Sequence, residues 1–163
     1  MTELTELDLG PGTVLLRRAE QRDIEAIVGL IAADQLGAAR DGIRDEADLA
    51  AYRAAFEAID ADPAHLLLAA ESDGRVVGTL QLSFLPGLAR RGALRAQIEA
   101  VRVAASTRGS GLGAAMIGWA IEEARRRGCA LVQLTTDKSR TDAHRFYQRL
   151  GFVASHEGMK LAL

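Results

Sequence analysis

Val101-Arg102-Val103-Ala104-Ala105-Ser106-Thr107-Arg108-Gly109-Ser110-Gly111-Leu112-Gly113 decides how this chain is read. Its first residues close Leu94–Val103, a loosely alternating run that predicts a strand. The glycines predict a turn, and residues from about 111 to 127 predict a helix. A strand feeding a glycine-rich turn feeding a helix is an anion site. Glycine lets backbone approach a ligand closely, and the first N–H groups of a helix have no partners of their own. A P-loop is excluded, because Gly113 is followed by Ala114-Ala115 where Lys-Ser/Thr is required. The dinucleotide fingerprint G-x-G-x-x-A is met by Gly109, Gly111 and Ala114, with Asp137 ending the next expected strand. Its setting is wrong, since three strands precede the one that feeds the loop and 50 residues follow Gly113. A turn that only packs helix on sheet is the third reading.

Downstream, the helix closes with Arg125-Arg126-Arg127 and then Gly128, cations on the negative end of the dipole and a glycine for the left-handed cap. Ala130–Thr136 predicts a strand and 141–149 a short helix with Gly151 beyond it. Phe152–Leu161 predicts a final strand or hairpin. Upstream, Pro86-Gly87 closes a strand over Arg75–Phe84, which the turn dipeptide Asp73-Gly74 joins to a buried strand over His65–Glu71. Leu49, Tyr52, Phe56 and Ile59 share one face of a helix around 46–60 that Pro63 ends. Before it, Asp23 is expected to cap a helix carrying Ile24, Ile27, Val28 and Ile31, a pattern that Gly37 and Gly42 break. Thr13–Arg17 is a short strand, and residues 1–12, ending Gly10-Pro11-Gly12, read as a flexible tail. The expected order is β-α-α-β-β-β-α-β-α-β, a mixed α/β fold.

The length of 163 residues suits one domain with a real core. The single cysteine, Cys129, permits no disulfide framework and points to a reducing cytoplasm. The uncharged run Gly111–Ile121 is far short of the roughly 18 residues that span a bilayer, and the acidic first residues are unlike a signal peptide. A net charge of −2 argues against nucleic acid as a partner. Arg90, Arg91 and Arg95 are a local exception, either a solvated loop or an anion-attracting rim.

The stretch 101–113 resembles the pyrophosphate motif R/Q-x-x-G-x-G/A of the GNAT acetyltransferases, with Arg108, Gly111 and Gly113 at the required offsets. Ala143-His144-Arg145-Phe146-Tyr147-Gln148-Arg149-Leu150-Gly151-Phe152 is similar to the same family's A-x-x-F-Y-x-x-x-G-F signature. The resemblance implies one N-acetyltransferase domain over 13–163. It implies a mostly antiparallel sheet splayed at its fourth and fifth strands, with helices on both faces. The implied reaction moves an acetyl group from acetyl-CoA, as co-substrate, to a primary amine of a small molecule or peptide in a ternary complex. A GNAT module that binds acyl-CoA without turnover is the first alternative and, from the dinucleotide fingerprint, an NAD(P)-dependent oxidoreductase the second; homodimer formation is left open.

By the same resemblance, backbone N–H groups of Gly109, Ser110, Gly111, Leu112, Gly113 and Ala114 hold the CoA pyrophosphate, with Arg108 positioning the loop. A bulge at Val101, Arg102 and Val103 would let the pantetheine arm pair with strand backbone, and the N–H near Val101 would polarise the acetyl carbonyl. Tyr147 takes the general-acid place near the CoA sulfur, and Glu99 the place of a carboxylate facing the acceptor. Two departures stand out. Arg140 replaces a frequent asparagine, which leaves Ser139 or Arg140 to touch the CoA arm, and Ala105 replaces a frequent proline. Other residues read as background. His144 sits one turn before Tyr147, His65 and His156 have no metal-ligand spacing to Cys129, and Trp119 is expected to pack in the core. No metal is expected. Asp34, Glu99 and Asp137 could draw a cationic amine, while Arg90 and Arg91 could hold an anion.

Overall fold

A computed structural model describes residues 3–9, 12–34 and 37–163. Met1, Thr2, Gly10 and Pro11, four residues of the expected tail, lie outside them. Backbone contacts divide the chain into two units, Met1–Gln133 and Leu134–Leu163.

The first unit is organised by a sheet. β1 (Glu3–Asp8), β2 (Thr13–Arg18), β3 (His65–Ser72), β4 (Arg75–Leu85), β5 (Arg95–Val103) and β6 (Leu131–Leu134) lie side by side in chain order. The first five are antiparallel. β6 follows β5 in the same direction. The Ala130 N–H donates to the Leu94 carbonyl and the Gln133 amide to Gln97, each pair 36 residues apart. The fold class is therefore the mixed α/β arrangement that the sequence implies.

β1 is a correction. Residues 3–8 are a strand, not a loose tail, with Glu6 opposite Leu15 and Asp8 opposite Thr13. Half-buried Thr5 and Leu7 alternate with exposed Glu6 and Asp8, a period-two signal masked by charge. The strands expected as fourth and fifth are thus β5 and β6. The β3–β4 hairpin turns on Asp73 and Gly74, with φ of +49° and +73°, as a type I′ turn requires.

Each face of the sheet has its own cover. Ala70, Leu80, Leu82, Phe84, Ala96 and Ile98 are buried on one face. Against it lies α4 (Leu112–Arg126), whose Leu112, Met116, Ala120 and Ala124 recur every four residues and are buried. The fit is close: a Cβ on Gly78 would come within 2.9 Å of Met116 Sδ. The Arg127 guanidinium lies 4.0 Å over the Phe84 ring. The other face carries Arg17, Ala69 and Thr79, covered by α1 (Ile24–Ala32) and α2 (Glu46–Ala61), with Ile27 and Phe56 around Ala69. Asp45 caps α2 by accepting the Asp48 N–H at 2.9 Å. Asp23 does not cap α1 as expected. A 3-10 turn, Gln21–Asp23, comes first, and the Asp23 carboxylate accepts the Glu20 N–H at 2.7 Å. A four-residue turn, α3 (Ala89–Gly92), sits in the β4–β5 loop, with Arg90 and Arg91 at φ of +55° and +61°.

The second unit holds α5 (Thr141–Arg149). No strand forms over Phe152–Leu161, where one is expected. Ser155-His156-Glu157-Gly158 interrupts the run with turn-forming and charged residues, and Val153, Met159 and Leu161 are exposed. Among the described residues no helix is long and apolar enough to cross a membrane.

Candidate active site

The site begins at an irregularity in β5. Gln81 of β4 faces Glu99, but Thr79 faces Arg102, so β5 takes three steps while β4 takes two. The extra residue is Ala100, at φ +51°. A non-glycine residue there costs roughly 1–2 kcal/mol, so neighbouring structure must hold it. This is the expected bulge, displaced one residue from Val101–Val103 toward the N-terminus. Because paired residues share a face, Glu99 and Arg102 both project on the face covered by α1 and α2. Val103, opposite Gly78, returns to the α4 face.

Glu99 is exposed. Arg102 is partly buried and half engaged. Its Nη1 donates to the Val101 carbonyl at 2.8 Å, and its Nη2 lies 3.3 Å from Asp34 Oδ2, just past the end of α1. Its Nε–H is buried without a partner among the described residues. This arrangement is missed by the sequence reading, which takes Asp34 for an attractor of amines. Nothing local signals it, because the two residues are 68 apart.

After β5, Ala105–Thr107 forms a 3-10 turn and Gly111 caps α4. Gly109 and Gly111 stand at φ +82° and +87° with open space where a Cβ would be. Both glycines are thus required by the path of the loop, and neither fills a packing gap. Ser110 Oγ donates to the Thr107 carbonyl at 2.7 Å and accepts the Leu112 N–H at 3.3 Å, which fixes the turn. The first bond of the helix ladder runs from the Ala115 N–H to the Gly111 carbonyl. The N–H groups of Gly113 and Ala114 therefore precede the ladder, at the positive end of the dipole. Leu112 contributes backbone only, since its side chain is in the core. Arg108 is exposed on the same loop. Open glycines, unladdered N–H groups and a nearby guanidinium suit a pyrophosphate.

In the second unit, Asp137 Oδ1 accepts both the Ser139 N–H at 2.9 Å and the Ser139 hydroxyl at 2.6 Å. These two bonds hold the Asp137 carboxyl below the usual carboxylate range. His144 Nε2–H donates to the Asp137 carbonyl at 3.0 Å, fixing the start of α5 to the preceding turn. Tyr147 packs edge-on against Phe146 and Phe152, with centroids 5.1 and 5.8 Å away. The Gly-Phe pair of the signature now has a physical meaning. Gly151, at φ +90°, donates to the Gln148 carbonyl and Phe152 to that of Tyr147, a Schellman cap whose apolar contact is Tyr147 with Phe152.

Other expectations divide. Trp119 is not in the core but half-exposed, lining a groove with Leu4, Glu122 and Arg125. Cys129 is half-buried, and burial pushes its thiol up, away from the reactive thiolate.

Comparison with known proteins agrees with this geometry. The model of the Acetyltransferase (GNAT) family matches residues 34–152. An aminoalkylphosphonate N-acetyltransferase of Salmonella typhimurium is 34% identical over 142 residues, 86% of each chain. A glucosamine 6-phosphate N-acetyltransferase of Trypanosoma brucei brucei is 39% identical over 90 residues, 55% of this chain and 59% of the relative. A crystal structure of a transcriptional regulator from Bacillus halodurans C-125 superposes with a TM-score of 0.87 at 44% identity, covering 92% of this chain and 99% of that one.

The chain belongs to the GNAT acetyltransferase family. It is an acyltransferase of the kind that moves an acetyl group to an amine, and the family's acyl donor is acetyl-CoA. The spacing of Gly109, Gly111 and Ala114 is accounted for by the GNAT loop and needs no dinucleotide.

Proposed function

We propose that this protein acetylates a small primary amine that also carries a phosphonate or phosphate group. Relatives at 34% and 39% identity are named for an aminoalkylphosphonate and a glucosamine 6-phosphate, both amines bearing a phosphorus oxyanion. The observation that carries the reading is the bulge at Ala100, which puts a carboxylate and a guanidinium on one face of β5.

Acyl transfer to an amine needs a neutral nucleophile, a polarised carbonyl and a proton for the departing thiolate. In this reading the N–H groups of Gly109, Gly111, Gly113 and Ala114 bind the pyrophosphate of acetyl-CoA, with Ser110 and Leu112 holding the turn and Arg108 beside them. β5 backbone from Val101 to Val103 pairs with the pantetheine arm, and the N–H of Val101 polarises the carbonyl. Glu99 holds the acceptor's ammonium in line and takes its proton, directly or through water. Tyr147 gives a proton to the thiolate. We place Ser139 beside the CoA arm, in a turn that its N–H and hydroxyl brace against Asp137. We place the enzyme in the cytoplasm, which the lone Cys129 supports, with small molecules as its partners.

A second reading has one observation behind it. The solved relative at 44% identity is called a transcriptional regulator, which fits a GNAT module that binds acyl-CoA without turnover. Thiol release from acetyl-CoA, measured with and without 2-aminoethylphosphonate, separates the two. Amine-dependent release supports the enzyme, and binding without release supports the module.

A further inference from the structure

We infer that the Arg102 side chain is the specificity-determining residue that holds the acceptor's oxyanion, with Glu99 holding its ammonium on the other side of the bulge. The inference rests on the proposed acceptor class and adds the group that selects it. Glu99 and Arg102 face Gln81 and Thr79, two residues apart on β4. Their backbones are thus about 7 Å apart along one face of the sheet, at roughly 3.4 Å per residue. Val101, whose N–H is the proposed polarising donor, lies between them in sequence. An acceptor whose ammonium and oxyanion are separated by two or three carbons matches that spacing and its order of charge.

The state of Arg102 adds a second, independent reason. A guanidinium offers five N–H donors in a fixed fork that suits a phosphonate or phosphate in two-point contact. Here the fork is underused. One nitrogen donates to the neighbouring carbonyl of Val101, one meets Asp34 at 3.3 Å, longer than a charge-assisted bond prefers, and Nε–H has no partner among the described residues. An arginine kept half-satisfied beside a bulge calls for an explanation, and a missing anionic ligand supplies one. Arg95 does not compete for this role. It is four residues before Glu99 on a straight strand, about 13 Å away and beyond the reach of a small acceptor.

The test is a selectivity measurement on the whole protein. Wild type, Arg102→Gln and Arg102→Lys are assayed with 2-aminoethylphosphonate and with propylamine, which lacks the oxyanion. Acetyl-CoA affinity is followed by calorimetry in each. Arg102→Gln is expected to raise KM for the phosphonate amine at least tenfold and to cut the kcat/KM ratio of the phosphonate amine over propylamine at least fivefold, while calorimetry reports separately any effect on acetyl-CoA. Arg102→Lys restores part of the loss, a charge without the fork. Ethylphosphonate, which has no amine, should inhibit wild type competitively against the phosphonate amine. Should Arg102→Gln fail to fold, Arg102→Lys and this inhibition carry the test. A wild type with no preference for the phosphonate amine overturns the acceptor class and this inference with it. A wild-type preference that survives in Arg102→Gln, or an equal loss on both amines, leaves the acceptor class standing and overturns the role of Arg102. Absence of inhibition by ethylphosphonate also overturns that role.

Discussion

The Arg17 guanidinium, 1% exposed, donates to both carboxylate oxygens of Asp23, at 2.6 and 2.9 Å, and reaches Glu71 on the adjacent strand at 2.6 Å. This contact ties β2 to the turn that launches α1, the helix just beyond which Asp34 lies. Burial alone would raise the Asp23 carboxyl, but the hydrogen bonds from Arg17 and from the Glu20 N–H, with the charge of Arg17, outweigh it and hold the group below its ordinary value.

The stability consequence has a definite sign. A carboxyl lowered in the folded state stabilises the protein above its unfolded pKa, about 4, and that contribution disappears as pH falls through the folded value. Asp23→Ala should cost about 3 kcal/mol at neutral pH, because it removes the two-point partner of buried Arg17 and leaves Glu71 as its one carboxylate among the described residues. The gap between variant and wild type should narrow below about pH 4. Urea denaturation across pH 3–7 reads both effects.

For the glycine loop, the φ values decide the expectation. Gly111→Ala forces a side chain into the left-handed region at a cost of about 1–2 kcal/mol and should weaken acetyl-CoA binding without abolishing the fold. Gly113→Glu places a carboxylate in the first turn of α4, where the pyrophosphate is proposed to sit. It should weaken CoA binding by at least about 2 kcal/mol, as measured by calorimetry. Unchanged affinity in both variants would move the cofactor elsewhere.

Tyr147→Phe keeps the edge-on packing with Phe146 and Phe152 and removes only the hydroxyl. General acid catalysis contributes roughly 10²–10⁴-fold, so kcat should fall at least tenfold while acetyl-CoA affinity stays near wild type. A variant with wild-type kcat would reduce Tyr147 to a packing residue.

Much of this architecture is legible in the chain because local chemistry sets it. The Ile24, Ile27, Val28 and Ile31 stripe, the Asp73-Gly74 turn, and the Gly128 and Gly151 caps each depend on neighbours within a turn or two. So does the glycine loop. What escapes the sequence is set by partners far away. β1 hides its alternation under three acidic residues and is a strand only because β2 is there to pair with it. Asp23 looks like a helix cap until the buried Arg17 claims its carboxylate. The bulge falls at Ala100, a residue with no turn preference, because pairing with β4 on both sides fixes where the extra residue must go. Arg102 reads as one more backbone position in the CoA strand, and only the fold sets it against Asp34.

Glu99 gives a prediction in the rate against pH. A primary amine with a pKa of about 10 is mostly protonated at neutral pH and cannot attack. Glu99→Gln should lower kcat/KM for the acceptor most near neutrality and recover part of the loss at higher pH, where more free amine exists. Superimposable pH–rate profiles would leave Glu99 as an ordinary strand residue.

Direct turnover of acetyl-CoA against a panel of amines tests acetyl transfer to a phosphonate- or phosphate-bearing amine. Thiol release is followed alongside the N-acetylated product by mass spectrometry, with 2-aminoethylphosphonate, glucosamine 6-phosphate, propylamine and a lysine-containing peptide as acceptors. Stoichiometric release and product are expected, with the highest kcat/KM among the phosphorus-bearing amines. Acetyl-CoA that binds but releases no thiol with any amine, or a preference for propylamine or the peptide, would contradict that transfer.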